Sequence, residues 1–179
     1  MANTLAPYGF RLWERRTGGF GGTPLAPGIA GSNIGPSPGG PLQFPSTAVL
    51  AVGDPVRSSL GIGYIAAGTN AVYGVLNSPV PAGFGDTATQ KHYPEIIPAD
   101  DGSVFSCQST TTTNVTQALI GVAAKKYRIA GTTSGYTGID FTHTTTGVLQ
   151  VLALKPGSAF GTYAEVLVMI VRGAFFGQA

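Results

Sequence analysis

Short apolar runs, each followed by a glycine or proline turn signal, recur along the chain after Ser46. Runs of this length at a spacing of 8–12 residues are typical of strands in small all-β domains. The runs that we read as strands before the C-terminal third are 47–52, 62–67, 71–76 and 104–108. We therefore expect a mainly β fold with a compact antiparallel β-barrel or β-sandwich core and at most one short helix.

The C-terminal third carries the strongest strand signal. Residues 147–154 and 163–171 are two apolar runs separated by Lys155-Pro156-Gly157-Ser158, which predicts a hairpin. Both alternating faces of the second run are mostly apolar, so we expect burial by the core on one side and by another layer or subunit on the other. The predicted oligomer-interface residues on this run are Tyr163, Val166, Val168 and Ile170.

One segment departs from the β pattern. Asn114 is a cap-like residue with Gln117 three positions later, as at the start of many helices. The apolar positions that follow a helical spacing are Val115, Ala118, Leu119 and Val122. The segment thus indicates a short helix ended by Gly121, with a strand as the alternative.

Residues 1–45 differ in composition from the rest. Six prolines between Pro24 and Pro45 remove backbone donors, and the interleaved glycines disfavour a packed helix or a central strand. We predict an extended N-terminal arm over 1–45 and a β-rich core domain over 46–179. A polyproline-like chain from Thr23 to Pro45 would reach roughly 60–70 Å.

Charged residues are scarce for a domain that is alone in water. They make up 10% of the chain against about 25% in an average soluble domain, so we expect neighbouring molecules to cover much of the surface. A neutral surface solvated by hydroxyl groups is the alternative. A net charge of +2 argues against a nucleic-acid partner. From the absence of a membrane-length apolar run and of a basic, apolar opening we expect neither a membrane span nor a secretory signal.

Residues that could carry catalysis do not converge in the sequence. His92 and His143 belong to no metal-binding spacing, and Asp100-Asp101 reads as an ordinary turn. Cys107 shares a strand face with Phe105, which predicts a small buried hydrophobe. We therefore expect no enzyme activity, no metal, no cofactor and no small-molecule substrate.

A basic cluster close to the N-terminus suggests an interaction surface. Arg11, Arg15 and Arg16 surround Trp13. Arginine and tryptophan are favoured in interface cores, so the cluster is either an anchor for an acidic partner surface or a solvated patch.

The opening Met1-Ala2-Asn3-Thr4-Leu5-Ala6-Pro7-Tyr8-Gly9-Phe10 resembles the M-A-N-x-x-A-P-x-G-[FL] start of the capsid cement (decoration, head-stabilising) proteins of tailed bacteriophages. The basic stretch and the glycine pair of Arg15-Arg16-Thr17-Gly18-Gly19 also resemble that family. Further similar segments, in order, are Val52-Gly53-Asp54-Pro55-Val56, Tyr73-Gly74-Val75-Leu76, Tyr93-Pro94, Val104-Phe105-Ser106-Cys107-Gln108 and Val166-Leu167-Val168-Met169-Ile170. Residues 23–45 depart from the family in being longer and richer in Pro and Gly.

The resemblance implies a structural virion protein, made in the cytoplasm of the host bacterium and placed on the outer capsid surface. It implies a homotrimer whose other partner is the major capsid protein, with the arm clamping neighbouring capsid subunits. The predicted capsid-contact residues are Pro7, Phe10, Arg11, Trp13, Arg15, Arg16, Phe20, Leu25, Ile29, Ile34, Leu42 and Phe44.

A virion surface carbohydrate-binding or fibre-type module is the competing function. Exposed tyrosine rings could stack on sugars, although tyrosines on strands more often lie in a core or an interface. The tyrosines that this alternative needs are Tyr64, Tyr73, Tyr93, Tyr136 and Tyr163.

Overall fold

A computed structural model describes residues 3–15, 44, 49–59, 62–81, 94–99, 103–131 and 133–171. The fold in these ranges is mainly β, as predicted. In chain order its elements are β1 (Arg11–Arg15), β2 (Pro55–Ser59), β3 (Ile62–Ile65), β4 (Gly74–Leu76), β5 (Ile96–Pro98), β6 (Ser103–Gln108), a 3₁₀ turn (Gln117–Leu119), β7 (Arg128–Ala130), β8 (Gly138–Asp140), β9 (Leu149–Leu154) and β10 (Glu165–Ile170).

The described strands form three antiparallel sheets. The first has the order β1-β6-β10-β9, the second the order β3-β2-β4-β5, and the third is the hairpin β7-β8. In the first sheet β1 pairs with β6, a strand of the C-terminal half, so pairing between distant parts of the chain holds this sheet together.

The predicted C-terminal hairpin is confirmed. β9 and β10 pair antiparallel from Val166↔Leu154 to Ile170↔Leu149, and Ser158 N donates to Lys155 O (3.0 Å) in the predicted turn. Burial alternates along β10: the inward face is fully buried, whereas Glu165, Leu167 and Met169 keep part of their surface exposed. The chain itself therefore buries one face of β10. Burial of the other face by another layer or subunit stays a prediction.

Two hydrophobic clusters lie on opposite faces of the second sheet. The larger cluster joins residues of all three sheets, among them Val75 of β4 and Phe105 of β6. The smaller one contains Leu76, the neighbour of Val75, together with Phe44 and Val56. Successive side chains of a strand point to opposite faces, so β4 contributes to both clusters.

Several predicted strand boundaries were wrong. Residues 49–52 form no regular strand: Leu50 makes an isolated bridge with Val80, and a turn at Val52-Gly53 follows. The side chain of Asp54 accepts a hydrogen bond from Ala51 N (2.8 Å), which removes that donor from strand pairing. The sequence pattern also gave no indication of β1, β2, β5, β7 or β8.

The predicted short helix from Asn114, ended by Gly121, was also wrong in extent. It is one 3₁₀ turn that follows Thr116, with no side-chain cap hydrogen bond, so Asn114 is not its cap. Val115 is held extended because it exchanges two backbone hydrogen bonds of 3.0 Å with Gly161.

The start of the predicted arm belongs to the core. β1 pairs with β6 from Arg11↔Ser106 to Arg15↔Ser103, so residues 3–15 are part of the folded domain. Phe44 at the other end is buried beside Leu50 and Val80. The boundary at residue 45 is therefore revised, and residues 16–43 lie outside the described ranges.

Replacing Val168 by Asp should prevent folding. The carboxylate would enter the larger cluster without a partner, and an uncompensated buried charge costs about 3–5 kcal/mol, much of the stability of a small domain. Leu167→Asp, on the partly exposed face, is the matched control and should fold. Circular dichroism with urea unfolding compares the two, and equal midpoints would contradict the assigned faces.

Candidate interaction surface

The N-terminal segment 3–10 is fastened to the core by amide side chains. Asn3 Nδ2 donates to Ala159 O (2.9 Å) and Thr162 O (3.1 Å), in the connection between β9 and β10. Buried Gln108 accepts from Ala6 N (2.8 Å) and donates to Thr4 O (2.8 Å). These contacts give Asn3 and Ala6 of the opening motif a structural role.

Two glycines bring the segment into backbone contact with the Val52-Gly53 turn. Phe10 N donates to Gly53 O (2.7 Å). Gly9 has φ +78°, and a Cβ on it would lie 2.6 Å from Gly53 O, so only glycine fits there. The contact turns the Phe10 ring into the larger hydrophobic cluster, where the residue is 1% exposed.

The strand that follows Phe10 presents an exposed aromatic side chain. β1 is an edge strand, and its register with β6 shifts between Leu12, opposite Phe105, and Glu14, opposite Val104. Trp13 is thus the extra residue of a β-bulge, a feature that re-aims side chains. Leu12 and Trp13 are 39% and 44% exposed. We call the exposed Leu12 and Trp13, with Arg11 beside them, the β1 surface.

Two cations flank the ring of Tyr8 beside the β1 surface. The Arg11 guanidinium lies 5.2 Å and Lys155 Nζ 5.4 Å from the ring centroid. Lys155 also pairs with the carboxylate of Glu165, and this contact raises the pKa of Lys155. Burial raises the pKa of the Tyr8 phenol. The cluster holds Tyr8 against the outer face of the first sheet.

A buried carboxylate fixes the turn on which Gly9 rests. Asp54 Oδ2 accepts from Ser134 Oγ (2.6 Å), and Oδ1 accepts from Gly135 N (2.8 Å). Together with the bond from Ala51 N, these contacts tie the turn to the loop between β7 and β8. That loop carries Tyr136, which is 62% exposed.

The structure separates the predicted capsid-contact residues into three groups. Phe10 and Phe44 are buried in the chain's own clusters and have no surface to offer a partner, so their predicted contact role is corrected. Arg11 and Trp13 are exposed and Pro7 is half-buried, while only the backbone of Arg15 is described. The residues outside the described ranges are Arg16, Phe20, Leu25, Ile29, Ile34 and Leu42.

Three of the four predicted oligomer-interface residues face the core of the chain itself. Val166, Val168 and Ile170 lie in the larger hydrophobic cluster, because the inward face of β10 packs on the chain itself. Tyr163 is half-buried at φ +56°, and its carbonyl accepts from Gln108 Nε2 (3.1 Å). The side chains of β10 that retain exposed surface are those of Glu165, Leu167 and Met169.

Exposed apolar residues that sequence reasoning missed are Leu5, Leu12, Val49, Val52 and Phe160. Their residue types alone predict burial. An apolar side chain next to a turn or bulge is the one available signal, and it applies to Leu12 and Val52.

The residues with potential for catalysis remain apart where they are described. The described ranges contain no group of three or more His, Cys, Asp or Glu side chains that could hold a metal ion. Cys107 is buried as predicted, and burial raises its pKa, which keeps the thiol protonated. His143 is exposed, whereas His92 and Asp100-Asp101 lie outside the described ranges.

The tyrosines that the carbohydrate-binding alternative needs differ in solvent exposure. Tyr73 is buried, and that burial raises its pKa to about 12. Tyr136 is exposed and Tyr163 half-buried. The side chain of Tyr64 and the whole of Tyr93 are outside what the structure describes.

No protein-family model, no curated protein and no solved structure matches the chain. Within the described ranges, no helix is long and apolar enough to cross a bilayer.

Gly9→Ala should destabilise the domain more than Gly157→Ala. Both glycines have positive φ, but a Cβ at Gly157 meets open space, so that variant carries only the left-handed strain of about 1–2 kcal/mol. At Gly9 the clash with Gly53 should add about 1–3 kcal/mol. Urea unfolding measures both variants, and equal losses would contradict the close contact.

Asp54→Asn should loosen the loop between β7 and β8. The amide cannot accept at both former carboxylate oxygens, which should cost about 1–3 kcal/mol and speed hydrogen exchange of the Gly135 amide. Asp140→Asn is the control, because Asp140 Oδ1 accepts only local bonds from Thr142 N (2.8 Å) and Thr142 Oγ1 (2.6 Å). Unchanged exchange at Gly135 in Asp54→Asn would contradict the assigned role.

Proposed function

We propose that this chain is a capsid cement protein of a tailed bacteriophage, a structural virion protein that binds the outer capsid surface and clamps neighbouring major capsid subunits. The proposal includes a homotrimer on the virion exterior, with the major capsid protein as the second partner. Its function would be mechanical, since attachment across the seams between subunits adds buried area that resists their separation.

The observation that carries the proposal is the convergence of the segments that resemble the family. The opening motif contacts the similar segment 52–56 where Gly9 lies against Gly53. Gly53 N in turn donates to Leu76 O (2.8 Å), the last residue of the similar segment 73–76. The two remaining strand segments, β6 and β10, pair with each other in the first sheet. These contacts place the resembling segments at structurally important positions of one fold, and this placement supports the proposal.

The β1 surface supplies a second line of support. Trp13 is an exposed tryptophan on a fixed strand, flanked by an arginine, and both residue types are enriched at the centres of protein interfaces. The surface directly precedes residues 16–43, so contacts by β1 and by the arm would be continuous along the chain. We assign the first contact with the capsid surface to Arg11, Leu12 and Trp13.

The finer architecture is also part of the proposal. The first and second sheets both contribute to the larger hydrophobic cluster, and each described sheet has an open strand order. This arrangement favours a β-sandwich core over a closed barrel. The trimer contact is assigned to the outer face of β10, around Leu167 and Met169.

Trp13→Ala should weaken binding to expanded shells assembled from the major capsid protein of the same genome. Truncation of an interface tryptophan costs about 2 kcal/mol or more, which is about 30-fold in affinity. Phe160→Ala is the control, because Phe160 is 49% exposed but lies in the connection between β9 and β10. Co-sedimentation measures binding. Failure of the unaltered chain to bind would contradict the proposed function.

The arm needs a separate test that leaves the core intact. Replacing residues 18–42 by a Gly-Ser linker of equal length keeps β1 and Phe44 in place but removes every proline and apolar anchor between them. We expect a folded protein that stabilises shells against heat less than the unaltered chain does. Full shell stabilisation by this variant would remove the arm from the clamp.

A further inference from the structure

A second charged surface lies away from the β1 surface, at the start of β7. Lys125, Lys126 and Arg128 place three of the chain's ten cations within four residues. In a chain with so few charges, this is a marked local excess. The function proposed above makes no use of it.

Each of these three side chains is held by a neutral oxygen. Lys125 Nζ donates to Ala118 O (2.8 Å), Lys126 Nζ to Gln150 Oε1 (2.9 Å), and Arg128 Nη2 to Thr146 Oγ1 (3.0 Å). These bonds orient the side chains without neutralising their charge. Less side-chain entropy is therefore lost when an anionic group binds.

A threonine-rich loop extends the same surface. The backbone of Lys126 donates to Thr144 O (3.0 Å) and accepts from Gly147 N (3.1 Å), which places residues 143–146 beside the cations. His143, Thr145 and Thr146 are exposed and offer polar groups. Among the described residues, the neighbouring carboxylate is that of Asp140, the cross-strand partner of Arg128, whose Oδ1 accepts from Thr142 N and Thr142 Oγ1. Three cations against this one carboxylate leave a local excess of positive charge.

We infer that Lys125, Lys126, Arg128 and residues 143–146 form a cationic surface that binds a carboxylate-bearing face of another protein. The inference rests on the proposed function and assigns the partner an acidic strip on the outer face of the shell. Charge complementarity of this kind fixes orientation and speeds association.

The chemistry favours a protein over a nucleic acid. Three cations release few counterions from a phosphate backbone, and the net charge of the chain is only +2. A second copy of this chain is a weaker source of carboxylates, since the chain has only eight acidic residues. Among the described ones, Asp54 is buried and Glu165 is bound to Lys155, whereas Glu14 is exposed.

The test compares Lys125→Gln/Lys126→Gln with the charge-conserving Lys125→Arg/Lys126→Arg on the full chain. The probe is the same expanded shell, at low and at moderate NaCl concentration. Loss of two surface ion pairs should weaken binding about tenfold at low salt, whereas the arginine variant should stay within about twofold of the unaltered chain. The glutamine variant should also show a shallower salt dependence.

The outcomes separate the two proposals. If the unaltered chain and the glutamine variant bind the capsid shell with equal affinity, the proposed cationic surface is wrong and the proposed cement function is unaffected. No binding by the unaltered chain would overturn both. Two controls test for a different partner. The first measures affinity for duplex DNA, and a charge-dependent affinity together with unchanged shell binding would overturn the inference. The second measures the oligomeric state, and an oligomer that dissociates in the glutamine variant would also overturn it. Circular dichroism verifies that every variant is folded.

Discussion

The fold depends on one close contact between two backbones. Gly9 and Gly53 approach so closely that neither has room for a side chain, and Phe10 N donates to Gly53 O at that point. The same turn exchanges hydrogen bonds with Leu76 of the second sheet, and the carboxylate of Asp54 ties it to the β7–β8 loop. Three sheets therefore meet at one turn, and the N-terminal segment is a structural component of the core.

Sequence reasoning succeeded where the apolar signal was long and the pairing was local. The β9–β10 hairpin has six-residue strands and an obvious turn, and β6 combines Phe105 and Cys107 on a buried face. Strands of three residues, such as β5, are too short to show a period. β1 carries more charge than apolar character, and it is a strand because β6, more than eighty residues away along the chain, supplies its partner.

The candidate site was predictable by residue type but not by direction. Trp13 and Arg11 were identified from their chemistry, and both are exposed. The inward orientation of Val166, Val168 and Ile170 could not be deduced, since both faces of β10 are apolar and either could have met the core. The Asp54–Ser134 hydrogen bond was equally hidden, because eighty residues separate two side chains that are ordinary in turns.

Both outer strands of the first sheet have an irregular register. Trp13 interrupts the ladder of β1, and the pairing of β9 with β10 shifts between Leu167 and Val168. A flat, regular edge would offer its free backbone groups to the edge of an identical molecule, and identical molecules at high concentration could then stack into fibres. The bulges twist the outer strands away from that geometry. The irregular register therefore lets the chain keep an exposed tryptophan on an outer strand without a regular edge that an identical molecule could extend.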